Sequence, residues 1–210
     1  MTEPFIAVER GAPDAHEVLR QAVAEELGLD AAHLEVTHHC PRCGSSAHGV
    51  PALSQHGSPI PVAVSISRAD GVVLVAFTPT VPSSPSTPNT CSATTPNTSS
   101  ATTPGATNAT HIGIDIERTE AAADSTLDGV LRHPEEPPYP DAHARTRAWV
   151  RKEAALKAWG TGLNLEPSEV LDLGTHATAP GLPTATLQDL EIDGYQAAVA
   201  VITAPWAASR

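Results

Sequence analysis

Between Pro79 and Thr110 the chain carries no charged side chain and is dominated by Pro, Ser, Thr and Asn. Such a stretch cannot bury enough apolar surface to offset the entropy of ordering it, so it is expected to be a disordered insertion. What can fold is thereby divided into an N-terminal lobe, residues 1–78, and a C-terminal lobe, residues 111–210. The insertion (79–110) stands between two apolar runs, VVLVAF and HIGIDIE, in place of a tight connection. Loop-closure entropy grows slowly, and three doublings of length add only about 2 kcal/mol. A glycosylated stalk has a similar composition but needs a secretory leader. MTEPFIAVERG has no basic region followed by an apolar run.

The two blocks mix helix and strand patterns. DAHEVLRQAVAEEL, residues 14–27, is predicted to be an amphipathic helix, with Asp14 as N-cap and Gly28 as its stop. HLEVTHHC is a weak strand that runs into a Gly/Pro/Ser-rich loop, CPRCGSSAHGVPAL. VAVSIS and VVLVAF flank RADG, a hairpin signal with Asp70-Gly71 in the turn. After HIGIDIE, LDGVLRHPEEPPYP reads as short helix and turn. DAHARTRAWVRKEAALKAWG is the strongest helix, capped by Asp141 and ended by Gly160. LEPSEVLDL, TATLQDLEI and GYQAAVAVI read as strands. The class expected is α+β.

Charge and composition exclude several function classes. A formal net charge of −12 argues against bulk binding of nucleic acid or an anionic membrane, although a local basic pocket stays open. No apolar run is long enough to span a bilayer. Three cysteines, an odd count without secretory context, do not suggest a disulfide framework. The expectation is a cytoplasmic protein whose core rests on Val, Leu, Ile and Ala, since aromatics are only 3%.

HIGIDIE holds the first chemical signal. Side chains alternate along a strand, so Ile112, Ile114 and Ile116 share one face, and Gly113, Asp115 and Glu117 the other. Two like charges side by side call for water, a basic group or a cation. WVRKEAALKAWG then places Trp149, Glu153 and Lys157 four residues apart on one helical face. Alone, Glu153 and Lys157 make an ordinary surface pair, and Lys152 is equally ordinary. Three carboxylates converging with a lysine, however, suit Mg²⁺ and a phosphate-bearing substrate.

These two motifs resemble the signature of the 4′-phosphopantetheinyl transferases, of the monomeric two-lobed type that activates peptide and polyketide synthetases. The signature reads approximately (V/I)-G-(V/I)-D-(V/I)-E, then W-x-x-K-E-A-x-x-K-x-x-G, and every fixed position is met. VLRQAVAEELG resembles the family's early helix, HGVPAL its H-G-(K/R)-P loop, VSISRADG its S-x-S-H stretch and GYQAAVAVI its closing strand. The resemblance implies two similar α+β lobes related by a pseudo-twofold axis. It implies transfer of 4′-phosphopantetheine from coenzyme A to a serine of an apo acyl- or peptidyl-carrier protein, with Mg²⁺, releasing 3′,5′-ADP.

Residue by residue, the resemblance implies metal binding by Asp115, Glu117 and Glu153, with serine deprotonation as a second role for Glu153. Lys157 is implied to contact the phosphates or the leaving oxygen, and Lys152 to lie near them. Coenzyme A contacts fall to Arg20, Ser67 and Arg68. Two positions depart from the pattern. Arg68 replaces a histidine implied to hold the 3′-phosphate, and Val50 replaces a base, so weaker coenzyme A binding is expected. The competing readings are a catalytically weak scaffold that binds coenzyme A or a carrier protein, and a module with zinc at Cys40 and Cys43.

Overall fold

The computed structural model describes residues 3–11, 14–40, 43–80 and 110–203, with the backbone alone at 163. The expected insertion lies almost wholly outside the described residues, as does the tail after residue 203. In chain order the elements are β1 (Phe5–Arg10), α1 (Ala15–Leu27), β2 (Leu34–His39), β3 (Val50–Gln55), β4 (Ser58–Pro59), β5 (Val62–Ala69) and β6 (Val72–Pro79). There follow β7 (His111–Arg118), α2 (Asp128–Leu131), α3 (Ala142–Trp159), β8 (Leu171–Asp172), β9 (His176–Thr178), β10 (Ala185–Ile192) and β11 (Tyr195–Ile202). Helix and strand are mixed as the α+β expectation requires.

Three sheets form, with strand orders β1-β6-β5, β7-β11-β10-β9-β8 and β2-β3-β4. The hairpin expected at Asp70-Gly71 joins β5 to β6, and both turn residues have positive φ, 43° and 78°. That is the twist-matched two-residue turn, which Asp and Gly tolerate. Both long helices end as their sequences indicate. The Asp14 side chain accepts from His16 N and the Asp141 side chain from Ala144 N, and Gly28 and Gly160 are left-handed C-caps.

The packing is layered helix, sheet, sheet, helix. Val18, Leu19 and Val23 of α1 pack on Val73, Val75 and Phe77 of β6. The alternate residues Val72, Leu74 and Ala76 meet Ile112, Ile114 and Ile116 of β7, with Ala197 and Val199 of β11. The far face of the second sheet, Ala198, Ala200 and Ile202, carries Ala154, Ala155 and Ala158 of α3. The isoleucine face of HIGIDIE is therefore the joint between the two sheets, and its acidic face is turned toward α3.

Two expectations are corrected and one strand is added. CPRCGSSAHGVPAL is not loop throughout, because Val50–Gln55 pairs along β2 in the register His39↔Val50 to Leu34↔Gln55. LEPSEVLDL is mostly a 3₁₀ turn at Pro167–Glu169, closed by a capping box between Glu166 and Glu169, and only Leu171–Asp172 is strand. Phe5–Arg10 is a strand that the sequence reading did not assign; it pairs with β6 from Phe5↔Phe77 to Arg10↔Val72.

Candidate active site

The site begins with Gly113. A Cβ there would stand 2.0 Å from the Ala154 carbonyl oxygen and 2.4 Å from Ala158 N. Only glycine lets α3 lie main chain to main chain on β7. That approach puts Asp115, two residues along the same face, beside Lys157, one turn along the helix.

Asp115 is 5% exposed, and its Oδ1 accepts from Lys157 Nζ at 2.7 Å and from Ser67 Oγ at 2.7 Å. Lys157 Nζ also donates to the Ile114 carbonyl at 3.0 Å and to Ser67 Oγ at 3.2 Å. Ser65 Oγ accepts from Ile114 N at 3.0 Å, so two serines of β5 fix β7 from the first sheet. The second oxygen, Asp115 Oδ2, is buried with no hydrogen-bond partner. An unpaired buried carboxylate oxygen is costly and calls for an explanation.

Glu117 and Glu153 flank this pair. Burial pushes the Glu117 carboxyl above its ordinary range and the Asp115 charge adds to it, with Lys157 partly opposing. Burial also raises Glu153, followed by Asp115, again against Lys157, and then by Glu117. The three acids thus feel one another, and one lysine does not neutralise them. Among the described residues no three carboxylates bring ligand oxygens within 4.8 Å of one another. This spacing does not form a closed protein cage. It suits a hard cation that takes few protein ligands and completes its shell with water and phosphate. The orphaned Asp115 oxygen and the raised acids fit such an ion.

Beside the cluster lies a cavity of about 540 Å³. Among the described residues its lining includes Arg68, Lys157, His16, His38 and His48 and not one aspartate or glutamate. In a chain of net charge −12 that separation of sign marks a place for an anion. The apolar wall comes from Val50, Pro51, Val64, Ile66 and Ile112. Lys157 belongs to both halves: it lines the cavity and holds Asp115.

The cluster and the closing strand lie in one continuous segment, and that segment has relatives. Residues 111–200 match the family model of the 4′-phosphopantetheinyl transferase superfamily. No curated protein matches the chain. The superfamily segment spans a little under half of the chain and supports a phosphopantetheinyl-transferase-like function. It contains Asp115, Glu117, Glu153 and Lys157. The other wall of the cavity, including Arg68, Val50 and His16, comes from outside it.

The structure brings together Asp115, Glu117, Glu153, Lys157, Ser67 and Arg68. Ser67 anchors Asp115 and Lys157, while Arg68, its neighbour on β5, lines the cavity. Arg20 does not line the cavity and is bound to Glu17, one turn back on α1. Lys152 is fully buried on another side of α3, donating to Leu131 O at 2.7 Å and to Glu136 Oε2 at 2.8 Å. It holds structure together there and does not line the cavity. The rings of His16 and His38 lie 5.0 Å apart. His16 carries no local motif and was not singled out from sequence, while His38 belongs to the His/Cys run of the zinc reading, and only the docking of α1 beside β2 brings the two together. Burial, then His16, lowers the His38 pKa.

Proposed function

We propose that the protein transfers 4′-phosphopantetheine from coenzyme A to the serine of an apo acyl- or peptidyl-carrier protein. The observation that carries this reading is Lys157, which joins an acid-free cationic cavity to a cluster of three under-neutralised carboxylates. The superfamily match of residues 111–200 supports the transferase class. The cavity volume suits a nucleotide-sized ligand, and its two fixed cations, Arg68 and Lys157, would take phosphates. Arg68 offers a planar, permanently charged donor pair where the family has histidine, so phosphate binding is retained through a longer side chain.

Asp115, Glu117 and Glu153 would hold Mg²⁺, not all of them directly, since their oxygens do not converge to within 4.8 Å and waters would complete the shell. When bound, the ion would neutralise charge that builds on the pyrophosphate as it is cleaved. The carrier serine oxygen forms a bond to the β-phosphorus, and the bond to the 3′,5′-ADP oxygen breaks. Lys157 lies where it can offset charge on the leaving phosphate. The serine proton passes to a carboxylate oxygen of Glu153, which has two oxygens and so capacity for both metal and proton. The two sheets with their helices α1 and α3 would form the two lobes, and the protein would act as a monomer.

The test is the intact mass of an apo carrier protein incubated with the protein, coenzyme A and Mg²⁺. The expected result is a gain of one phosphopantetheine, abolished by EDTA and by Glu153→Ala. No gain across several carrier types would overturn transfer. Coenzyme A bound without turnover would instead identify a scaffold that has kept the cavity.

A further inference from the structure

The loop from Cys40 to Gly49 forms one edge of the cavity and has almost no apolar content. Its described residues from Cys43 onward are exposed or half-exposed. Yet its described residues are tightly held. Gly44 N donates to the Cys40 carbonyl at 2.9 Å, and Cys40 N donates to the Ser45 carbonyl at 2.9 Å. Gly44 sits at φ 69°, which closes the turn after the second cysteine. At the other end, a Cβ on Gly49 would stand 2.3 Å from the His39 carbonyl oxygen and 2.5 Å from Cys40 N. The two legs of the loop therefore cross in main-chain contact, and His48 is carried back onto the cysteines.

The result is a group of three ligand atoms. Cys40, Cys43 and His48 offer two sulfurs and a ring nitrogen that all lie within 4.8 Å of one another. Cys43 Sγ and His48 Nε2 are 3.6 Å apart. A tetrahedral zinc with Zn–S of about 2.3 Å and Zn–N of about 2.05 Å separates sulfur from nitrogen by roughly 3.6 Å. Neither cysteine is in a disulfide. We propose that Cys40, Cys43 and His48 bind one Zn²⁺, with the fourth position open to water from the cavity.

Chemistry selects the ion. Two thiolates and a neutral imidazole are soft and borderline donors, which favour zinc over the hard cations suited to the acid cluster. Their two negative charges balance the dication, so the site is neutral in an acidic chain. The ion would supply what the loop lacks, a fixed centre in place of an apolar core. Cys40, His48, Gly49 and Val50 all line the cavity, so the ion would also fix one of its walls. The ligand geometry stands apart from the transferase reading; only the effect on the cavity rests on it.

The experiment uses the full chain carrying Cys91→Ser, which removes the third thiol of the sequence. Metal analysis after gel filtration is expected to find one equivalent of zinc. Apo protein titrated with Co²⁺ should develop a thiolate-to-cobalt absorption band that saturates at one equivalent and is displaced by Zn²⁺. Cys43→Ser and His48→Gln should each weaken zinc binding at least about 100-fold. Zinc-free protein with no band on Co²⁺ addition would overturn the site, and that measurement needs no substitution at the ligands. Zinc retained by Cys40→Ser/Cys43→Ser would overturn it too. So would a Cys40–Cys43 disulfide that, once reduced, takes up no metal. None of these readings depends on carrier modification, so a failed transfer assay leaves them distinct.

Discussion

Lys152 and Lys157 stand on the same helix, and each holds a carboxylate, but their surroundings differ. Lys152 is sealed with Glu136, whose Oε2 also accepts from Tyr139 Oη at 2.8 Å and whose Oε1 accepts from Asp172 N at 2.9 Å. Burial works to raise the Glu136 carboxyl, but the Lys152 ammonium, the Asp172 amide and the Tyr139 hydroxyl overcome it and hold it below its usual range. The Tyr139 hydroxyl is pushed up by burial and by Glu136. Lys157 faces three acids, of which two are raised and one has an unbonded buried oxygen. The closed network ties α2, α3 and β8 together. The open one is short of positive charge and of hydrogen-bond donors, and a bound cation would supply the charge. Satisfaction, not burial or charge alone, separates the structural ion pair from the chemical one.

Breaking the closed network should cost stability most. Lys152→Ala leaves Glu136 charged and buried, an expected loss of about 3–5 kcal/mol in urea unfolding. A loss below about 1 kcal/mol would mean that Glu136 finds water or another partner. In the open network the cost should move to chemistry. Glu153→Gln is expected to lower kcat/KM for carrier modification by about 10²–10³-fold, or 2.7–4 kcal/mol, without loss of fold. Circular dichroism alongside the kinetics separates the two outcomes.

The cavity wall should respond more mildly. Arg68→Ala removes a charged donor and should weaken coenzyme A binding about tenfold or more by calorimetry. Val50 is 44% exposed on the same wall, so Val50→Arg has room and should tighten binding by about two- to tenfold. No change in either would place the nucleotide elsewhere.

The smallest effect sharpens the comparison in the other direction. The folded-state pKa of Glu153 lies above its ordinary 4.5, so the folded state holds this proton more tightly than the unfolded state. Its contribution to stability is then present at low pH and lost as pH rises from about 4.5 through the raised folded value. At neutral pH in EDTA, Glu153→Gln should therefore raise Tm by about 2 °C. A lower Tm would show that the ionised carboxylate is well paired.

Much of this was legible because it is local. Caps at Asp14, Gly28, Asp141 and Gly160, the Asp70-Gly71 turn and the alternation of HIGIDIE follow from single-residue conformational preferences. Asp115, Glu117, Glu153 and Lys157 were legible because strand and helix periods place them on single faces. What failed depends on distant partners. Phe5–Arg10 becomes a strand through pairing with Val72–Phe77, far along the chain. Val50–Gln55 is strand despite Pro51 because β2 runs beside it. Lys152 stands next to Glu153 in sequence, but one helical residue turns it by about 100°, from the site into the core. No motif marks Glu136 as the partner waiting there. His16 and His38 became neighbours only through docking of their elements.

Gly113 has a consequence for how such a chain can change over time. The separation between the strand's acids and the helix's lysine is set there by one backbone resting on another. Side chains elsewhere in the core can be exchanged, and small shifts absorbed, without lengthening that gap. The chemistry is in this sense insulated from drift in the packing around it, and one missing methyl group is the spacer gauge.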